Sequence, residues 1–259
     1  MSAGRTIKRG LLLTLVATAL HAKAVGTLSE NLVNESAILG YKIQYRIYLP
    51  ENFDSMAHLP VIYVTDGQWY IRNGHMPELL DRLISRGKIR PVVAVFVDNR
   101  DPDQPRTNRR NNQFFCNEKY VDFYRVELVP HIEKRYGTTP LRGERAILGM
   151  SFGGLNAACF GLMANDTFEL IGILSPALEP VPGIFNAYEK SPMLGLRIFL
   201  SHGRKRDNER DAQKFRRILD KKGYPMKYKT VNEGHNWRNW KPLLDDVLLY
   251  FFRPDKAPG

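Results

Sequence analysis

The sequence predicts an α/β sandwich, a mostly parallel doubly wound sheet with an antiparallel N-terminal portion and helices on both faces. Three observations lead there. Short runs rich in Val, Ile and Leu recur along the chain, amphipathic helical stretches separate them, and no tandem repeat, low-complexity tract or long Gly/Ser linker interrupts the series. A chain of 259 residues, 43% hydrophobic and 25% charged, has ordinary globular composition, and its length suits one such domain.

The first segment is expected to stand outside the fold. Arg5, Lys8 and Arg9 precede an apolar run from Leu11 to Leu20, and Ala22-Lys23-Ala24 follows. A basic start, a core of about ten apolar residues and a small-residue site read as a secretory signal peptide over residues 1–24 rather than a buried N-terminal helix. The run is shorter than the ~20 apolar residues that cross a bilayer. The domain is therefore expected over residues 25–259, exported to the periplasm or beyond the cell, with no membrane span. Removing four cations takes the formal charge from +11 to +7, with clusters at Arg106, Arg109 and Arg110 and at Arg204–Arg206. Such a balance suits anionic ligands or surfaces. With no zinc-ligand spacing, RNP motif or basic heptad region, a nucleic-acid partner is not expected. Cys116 and Cys159 are the only cysteines, and they read either as one disulfide or as two buried thiols.

Tyr41–Leu49 alternates polar and apolar residues, as a half-buried antiparallel strand does. Pro60–Val64, Val92–Val97, Arg145–Leu148, Leu170–Leu174 and Leu196–Leu200 are continuous apolar runs, suited to strands buried on both faces of a parallel sheet. Met226–Val231 adds a last strand. Helices are expected over Val121–Tyr136, with Pro130 bending it, over Glu209–Lys222, and from Pro242 to Phe252; Gly137 and Gly223 stop the first two. The Pro-rich segment 178–195 reads as a short lid or rim.

Open parallel sheets gather ligands at the carboxyl ends of their strands, and the chemistry-bearing residues fall there. Gly149-Met150-Ser151-Phe152-Gly153 follows the strand ending at Leu148 and precedes a helical stretch. This is G-x-S-x-G in the strand–turn–helix context of a nucleophile elbow. The glycines let neighbouring backbone pass closely, and the helix N-terminus aims N–H groups at a developing oxyanion. A serine hydroxyl needs a base. Only His202 and His235 follow Ser151; His235, in the loop between Met226–Val231 and the last helix, holds the position of the base. The acid is expected after the strand Leu196–Leu200, as Asp207, with Glu209 and Asp211 as alternatives. Backbone N–H groups of Gln68, at the exit of Pro60–Val64, and of Phe152 are the expected oxyanion donors. Trp69, Arg109 and Arg110 are candidate substrate contacts, Phe114 and Phe115 candidates for pocket or core, and Trp237 and Trp240 packing beneath His235. No metal-ligand spacing or cofactor motif is present in the sequence.

Four motifs in order carry a resemblance: Leu59-Pro60-Val61-Ile62-Tyr63-Val64-Thr65-Asp66-Gly67-Gln68; Glu127–Glu133 before Tyr136; Gly149–Gly154; and Gly234-His235-Asn236-Trp237 with Trp240. Over roughly residues 27–252 the chain resembles the esterase family of α/β-hydrolases that includes esterase D (S-formylglutathione hydrolase), feruloyl esterases, enterobactin esterases and mycolyltransferases. The resemblance implies the α/β-hydrolase fold and carboxylic-ester hydrolysis through an acyl-enzyme, on small siderophore-like or aromatic esters and without a cofactor. It gives Ser151 and His235 the nucleophile and base roles and Gln68 and Phe152 the oxyanion amides. The pattern departs at the acid: the family's Asp position is occupied by Arg206, and Asp207 comes one residue later. Two other activities fit the same residues, acyl transfer to an alcohol and ligand binding on a silent site.

Overall fold

The computed structural model describes residues 25–254; the segment read as a signal peptide, 1–24, lies outside the described residues, as do 255–259. In chain order the elements are β1 (Thr27–Leu28), β2 (Leu32–Ser36), β3 (Tyr41–Leu49), β4 (Val61–Thr65), α1 (Gly67–Arg72), α2 (Met76–Ser85), β5 (Val93–Asp98), α3 (Arg110–Phe114), α4 (Glu118–Asp122), α5 (Val129–Tyr136), β6 (Arg145–Met150), α6 (Phe152–Met163), β7 (Leu170–Leu174), α7 (Gly183–Lys190), β8 (Arg197–Gly203), α8 (Glu209–Lys222), β9 (Met226–Val231) and α9 (Trp237–Phe252). All nine strands belong to one sheet, ordered β1-β3-β5-β4-β6-β7-β8-β9, with β2 beside β1 along β3. Every pairing from β5 to β9 is parallel, and β3 is antiparallel to its neighbours.

The apolar runs explain this arrangement. Every residue of β4, β5, β6 and β7 is buried. Side chains on alternate sides enter two cores. Tyr63, Val95, Ile147 and Ile171 pack with α5, α6 and α8 on one face, and Ile62, Val64, Phe96 and Leu148 pack with α2 and α9 on the other.

Three elements differ from the sequence expectation. The helix expected from Val121 begins at Glu118, capped by the Asn117 side chain accepting from Tyr120 N, and widens to a π-helical stretch over Phe123–Leu128 before α5. Pro130 offers no N–H and crowds the carbonyl of Val126, and the wider turn upstream accommodates the ring. The last helix starts at Trp237, with Asn236 accepting from Arg238 N, so Pro242 lies inside it rather than at its start. The Asn236 cap and the burial of Asn239 and Trp240 start the helix upstream of the proline, which forfeits one hydrogen bond inside it. Segment 178–195 is no lid: it contains α7, whose Ile184, Phe185 and Tyr188 are buried, with Tyr188 edge-on to Phe215 of α8 at 4.8 Å.

Cys116 and Cys159 form a disulfide, with Cα atoms 5.1 Å apart and a sequence separation of 43. It ties the loop after α3 to the middle of α6, the helix that follows Ser151.

Candidate active site

At the carboxyl end of β6 the chain turns through Ser151 with φ 58° and ψ −122°, a backbone conformation that costs about 1–3 kcal/mol for a residue with a side chain. The surroundings hold it there. Ser151 N donates to Leu174 O at the end of β7 (2.9 Å), and Ser151 O accepts from Ala177 N (3.1 Å). The turn is possible because position 149 is glycine: a Cβ there would sit 2.0 Å from Gly153 O.

The hydroxyl so presented meets His235, from the loop between β9 and α9. His235 Nε2 lies 2.8 Å from Ser151 Oγ, and Nδ1 lies 2.5 Å from Asp207 Oδ1. The imidazole is one-third exposed, whereas the Asp207 side chain is fully covered. Its other oxygen, Oδ2, accepts from Ser175 Oγ (2.7 Å), Gly203 N (2.5 Å) and Asn239 Nδ2 (2.9 Å). Burial alone pushes the Asp207 carboxyl up, but hydrogen bonds from His235, Ser175 and the backbone outweigh it and bring its pKa down to about 2. The acid thus stays ionised against the imidazole. Trp240, edge-on to His235 at 4.9 Å, donates its indole N–H to Ser175 Oγ (2.9 Å) and closes the cluster.

Arg206, just before Asp207, takes a left-handed conformation (φ 54°). Glu209 and Asp211 belong instead to the first turn of α8, where Glu209 accepts from Gln213. His202 is buried and engaged by Tyr228 Oη (2.6 Å), away from the serine.

Gln68 and Phe152 each occupy the first turn of a helix, α1 and α6, beyond the carboxyl ends of the adjacent strands β4 and β6. Neither backbone N–H is given to another described residue. Beside Ser151 opens a cleft of about 410 Å³ lined by Asp66, Trp69, Asn73, Arg110, Met150 and Trp237. Trp69 and Arg110, two of the candidate contacts, both line this cleft. Trp237 does more than pack: it stacks edge-on to Tyr70 (5.4 Å) and also walls the cleft. Arg109 is elsewhere. Its guanidinium pairs with Asp101 and lies 4.3 Å from the centre of the Tyr41 ring, facing a separate depression. Consecutive residues at the start of α3 point in different directions, which the cluster of arginines concealed. Phe114 is buried in the core, and Phe115 packs edge-on to Phe152 at 5.0 Å.

Sequence reasoning missed Asp66, Ser175 and Asn239. Asp66 is fully buried under the cleft and ion-paired with Arg110 (2.9 Å), whose guanidinium also donates to Met150 O (3.3 Å). Burial raises the Asp66 pKa to about 6, with Arg110 acting in the opposite sense. The rule that sites gather at strand ends could have found Asp66 and Ser175, the residues directly after β4 and β7.

The model of the family described as "Putative esterase" matches residues 36–251. The chain belongs to that family. The esterase is 24% identical over 214 residues to the uncharacterized protein YjcH of Bacillus subtilis, covering 78% of this chain and 88% of that one. It is 23% identical over 229 residues to the iron(III) salmochelin esterase of Escherichia coli, covering 82% of this chain but only 54% of that relative. Its fold matches a solved ferulic acid esterase with a TM-score of 0.76 at 20% identity, covering 88% of this chain and 98% of the other. The architecture is that of the α/β-hydrolases, and the family makes the protein a carboxylic ester hydrolase. Among the described residues, no helix is long and apolar enough to cross a membrane.

Proposed function

We propose that this esterase hydrolyses its substrate by a Ser151–His235–Asp207 triad through an acyl-enzyme, and that its acyl subsite takes aromatic carboxylic esters. The observation that carries the reading is the unbroken hydrogen-bonded row from Asp207 through His235 to Ser151. His235 Nε2 takes the Ser151 proton as Oγ adds to the ester carbonyl, and the Gln68 and Phe152 N–H groups receive the oxyanion. On collapse, His235 returns the proton to the leaving alcohol. Water, activated by the same nitrogen, then releases the acid and restores Ser151. Asp207 holds the imidazole in the tautomer this needs.

Trp69 and Trp237 give the cleft two aromatic walls, and Arg110 sets a cation beside them, which suits a flat acyl group with a phenol or carboxylate substituent. A volume of about 410 Å³ lies in the range of small-molecule sites. The names of the relatives, ferulic acid esterase and salmochelin esterase, agree with such substrates. Export fits the Cys116–Cys159 disulfide, because such bonds persist in oxidising compartments.

The test is turnover of p-nitrophenyl acetate, butyrate, octanoate and ferulate by the parent and Ser151→Ala proteins. We expect the ferulate to have the highest kcat/KM, and Ser151→Ala to lower kcat by about 10⁴-fold or more with its melting temperature unchanged. Normal turnover by the alanine variant refutes the triad. A preference for octanoate refutes the aromatic subsite alone.

A further inference from the structure

Among the described residues, the net positive charge is concentrated in one region. Residues 204–231 hold eleven lysines and arginines against four acids, whereas the rest of the described chain, 25–203 and 232–254, holds 22 of each. The region comprises the β8–α8 loop, α8 and the edge strand β9. On α8, Arg210, Lys214, Arg217 and Lys221 follow one another at intervals of four, three and four residues. At 3.6 residues per turn that spacing draws a single line down the helix, about 16 Å long at 1.5 Å per residue. The buried Ala212, Phe215 and Leu219 occupy the opposite face, and all four cations are exposed.

No carboxylate among the described residues neutralises them. Arg216, on the flank of α8, pairs with Asp220 (3.1 Å), and Lys227 of β9 pairs with Asp246 (2.7 Å). Among the described residues none of the four stripe cations makes an ion pair. Like charges at such spacings weaken a helix by roughly 0.2–0.5 kcal/mol per pair; Lys214 rests over the Phe185 ring at 4.0 Å. At its upper end the stripe continues into the exposed Arg204–Arg206, in the same loop as Asp207, so it runs from beside the ester site down the outside of the molecule.

We propose that this stripe is a docking surface for a linear acidic polysaccharide, a polymer carrying repeated carboxylates, held along α8 with its chain directed towards the ester cleft. A single file of exposed cations along one helix matches a one-dimensional array of anions. A membrane surface is the poorer match, because no large hydrophobic side chain is exposed anywhere in 204–231 to enter the lipid. A single-stranded nucleic acid is poorer too, since no aromatic ring is exposed along the stripe for bases to stack on. The inference does not rest on the triad, because binding is a property of α8.

The test uses the full chain with Ser151→Ala, so that no ester is consumed, and measures binding to polygalacturonate at low salt. It is repeated with R210Q/K214Q/R217Q/K221Q, and with R86Q/K88Q/K134Q/K190Q, which removes the same charge from other exposed sites. We expect the stripe variant to bind at least ~10-fold more weakly and the control less than ~3-fold, with parental binding abolished at about 0.5 M NaCl. Equal weakening in both variants overturns the proposal, as does no binding to polygalacturonate, or stronger binding to phosphatidylglycerol vesicles or poly(U). The stripe variant built on an intact Ser151 keeps parental kcat/KM for p-nitrophenyl acetate. If both active forms fail on that ester while polygalacturonate binding follows the stripe, the triad is refuted and the docking surface stands.

Discussion

Two buried carboxyls face the cleft region from opposite thermodynamic positions. Asp207 is held down to about 2 because its ionised form accepts four hydrogen bonds, and Asp66 is raised to about 6 because burial outweighs the single Arg110 partner. The signs follow. Asp207 adds stability that is present above the ordinary carboxylate range and lost as pH falls towards 2; Asp66 subtracts stability when ionised, and that loss is relieved as pH falls from about 6 towards 4. ¹³C-carboxyl NMR should therefore find one aspartate titrating near pH 6, absent in Asp66→Asn; no carboxyl titrating between about pH 5 and 7 contradicts this. For Asp207→Asn we expect kcat to fall by about 10³–10⁴-fold with the fold kept, since an amide favours the wrong imidazole tautomer. A fall of less than about tenfold makes Asp207 a structural residue. Ser151 and His235 were readable because a glycine-flanked serine after an apolar run and a histidine in the last loop leave few alternatives. Asp66 and Ser175 were not, because short polar residues at strand ends look like ordinary turn formers, and Asn239, inside the first turn of α9, looks like any polar helix residue until the fold buries it beside Asp207.

At the scale of the element, the elbow is the most constrained part of the molecule. A methyl group at position 149 would meet the Gly153 carbonyl, a backbone atom that cannot yield without displacing α6. Gly149→Ala is expected to give insoluble protein or a Tm lowered by more than about 10 °C, measured by circular dichroism; a parental Tm shows that the turn has room. Strands buried on both faces were legible to within three residues, because continuous Val/Ile runs admit few other readings. The start of α9 was misread at Pro242, where the proline rule for helix starts competed with a true cap at Asn236. The short α1 and α3, which position Gln68 and Arg110, have too few residues to show a helical period in sequence.

Across the whole molecule, the disulfide links the loop after α3 to the helix that follows Ser151. Closing a loop of that length is worth at most about 4 kcal/mol through the unfolded chain. The Cys116→Ser/Cys159→Ser protein is expected to lose roughly 2–4 kcal/mol in urea unfolding while its kcat changes less than about threefold; an unchanged midpoint contradicts a stabilising role. The pairing was open in sequence, because two cysteines fix connectivity but not distance. The charge stripe escaped notice for a related reason: total charge is a sum, and only the segment-by-segment count, laid on a helix, reveals a line. The central claim is the reach of His235 to Ser151. Its most direct test is the site and rate of covalent modification by a fluorophosphonate, followed by mass spectrometry of the digested protein. The account predicts one phosphonyl group on the peptide containing Ser151, added at least ~10³-fold more slowly in His235→Ala. Modification at another residue, or an unchanged rate without the imidazole, would contradict it.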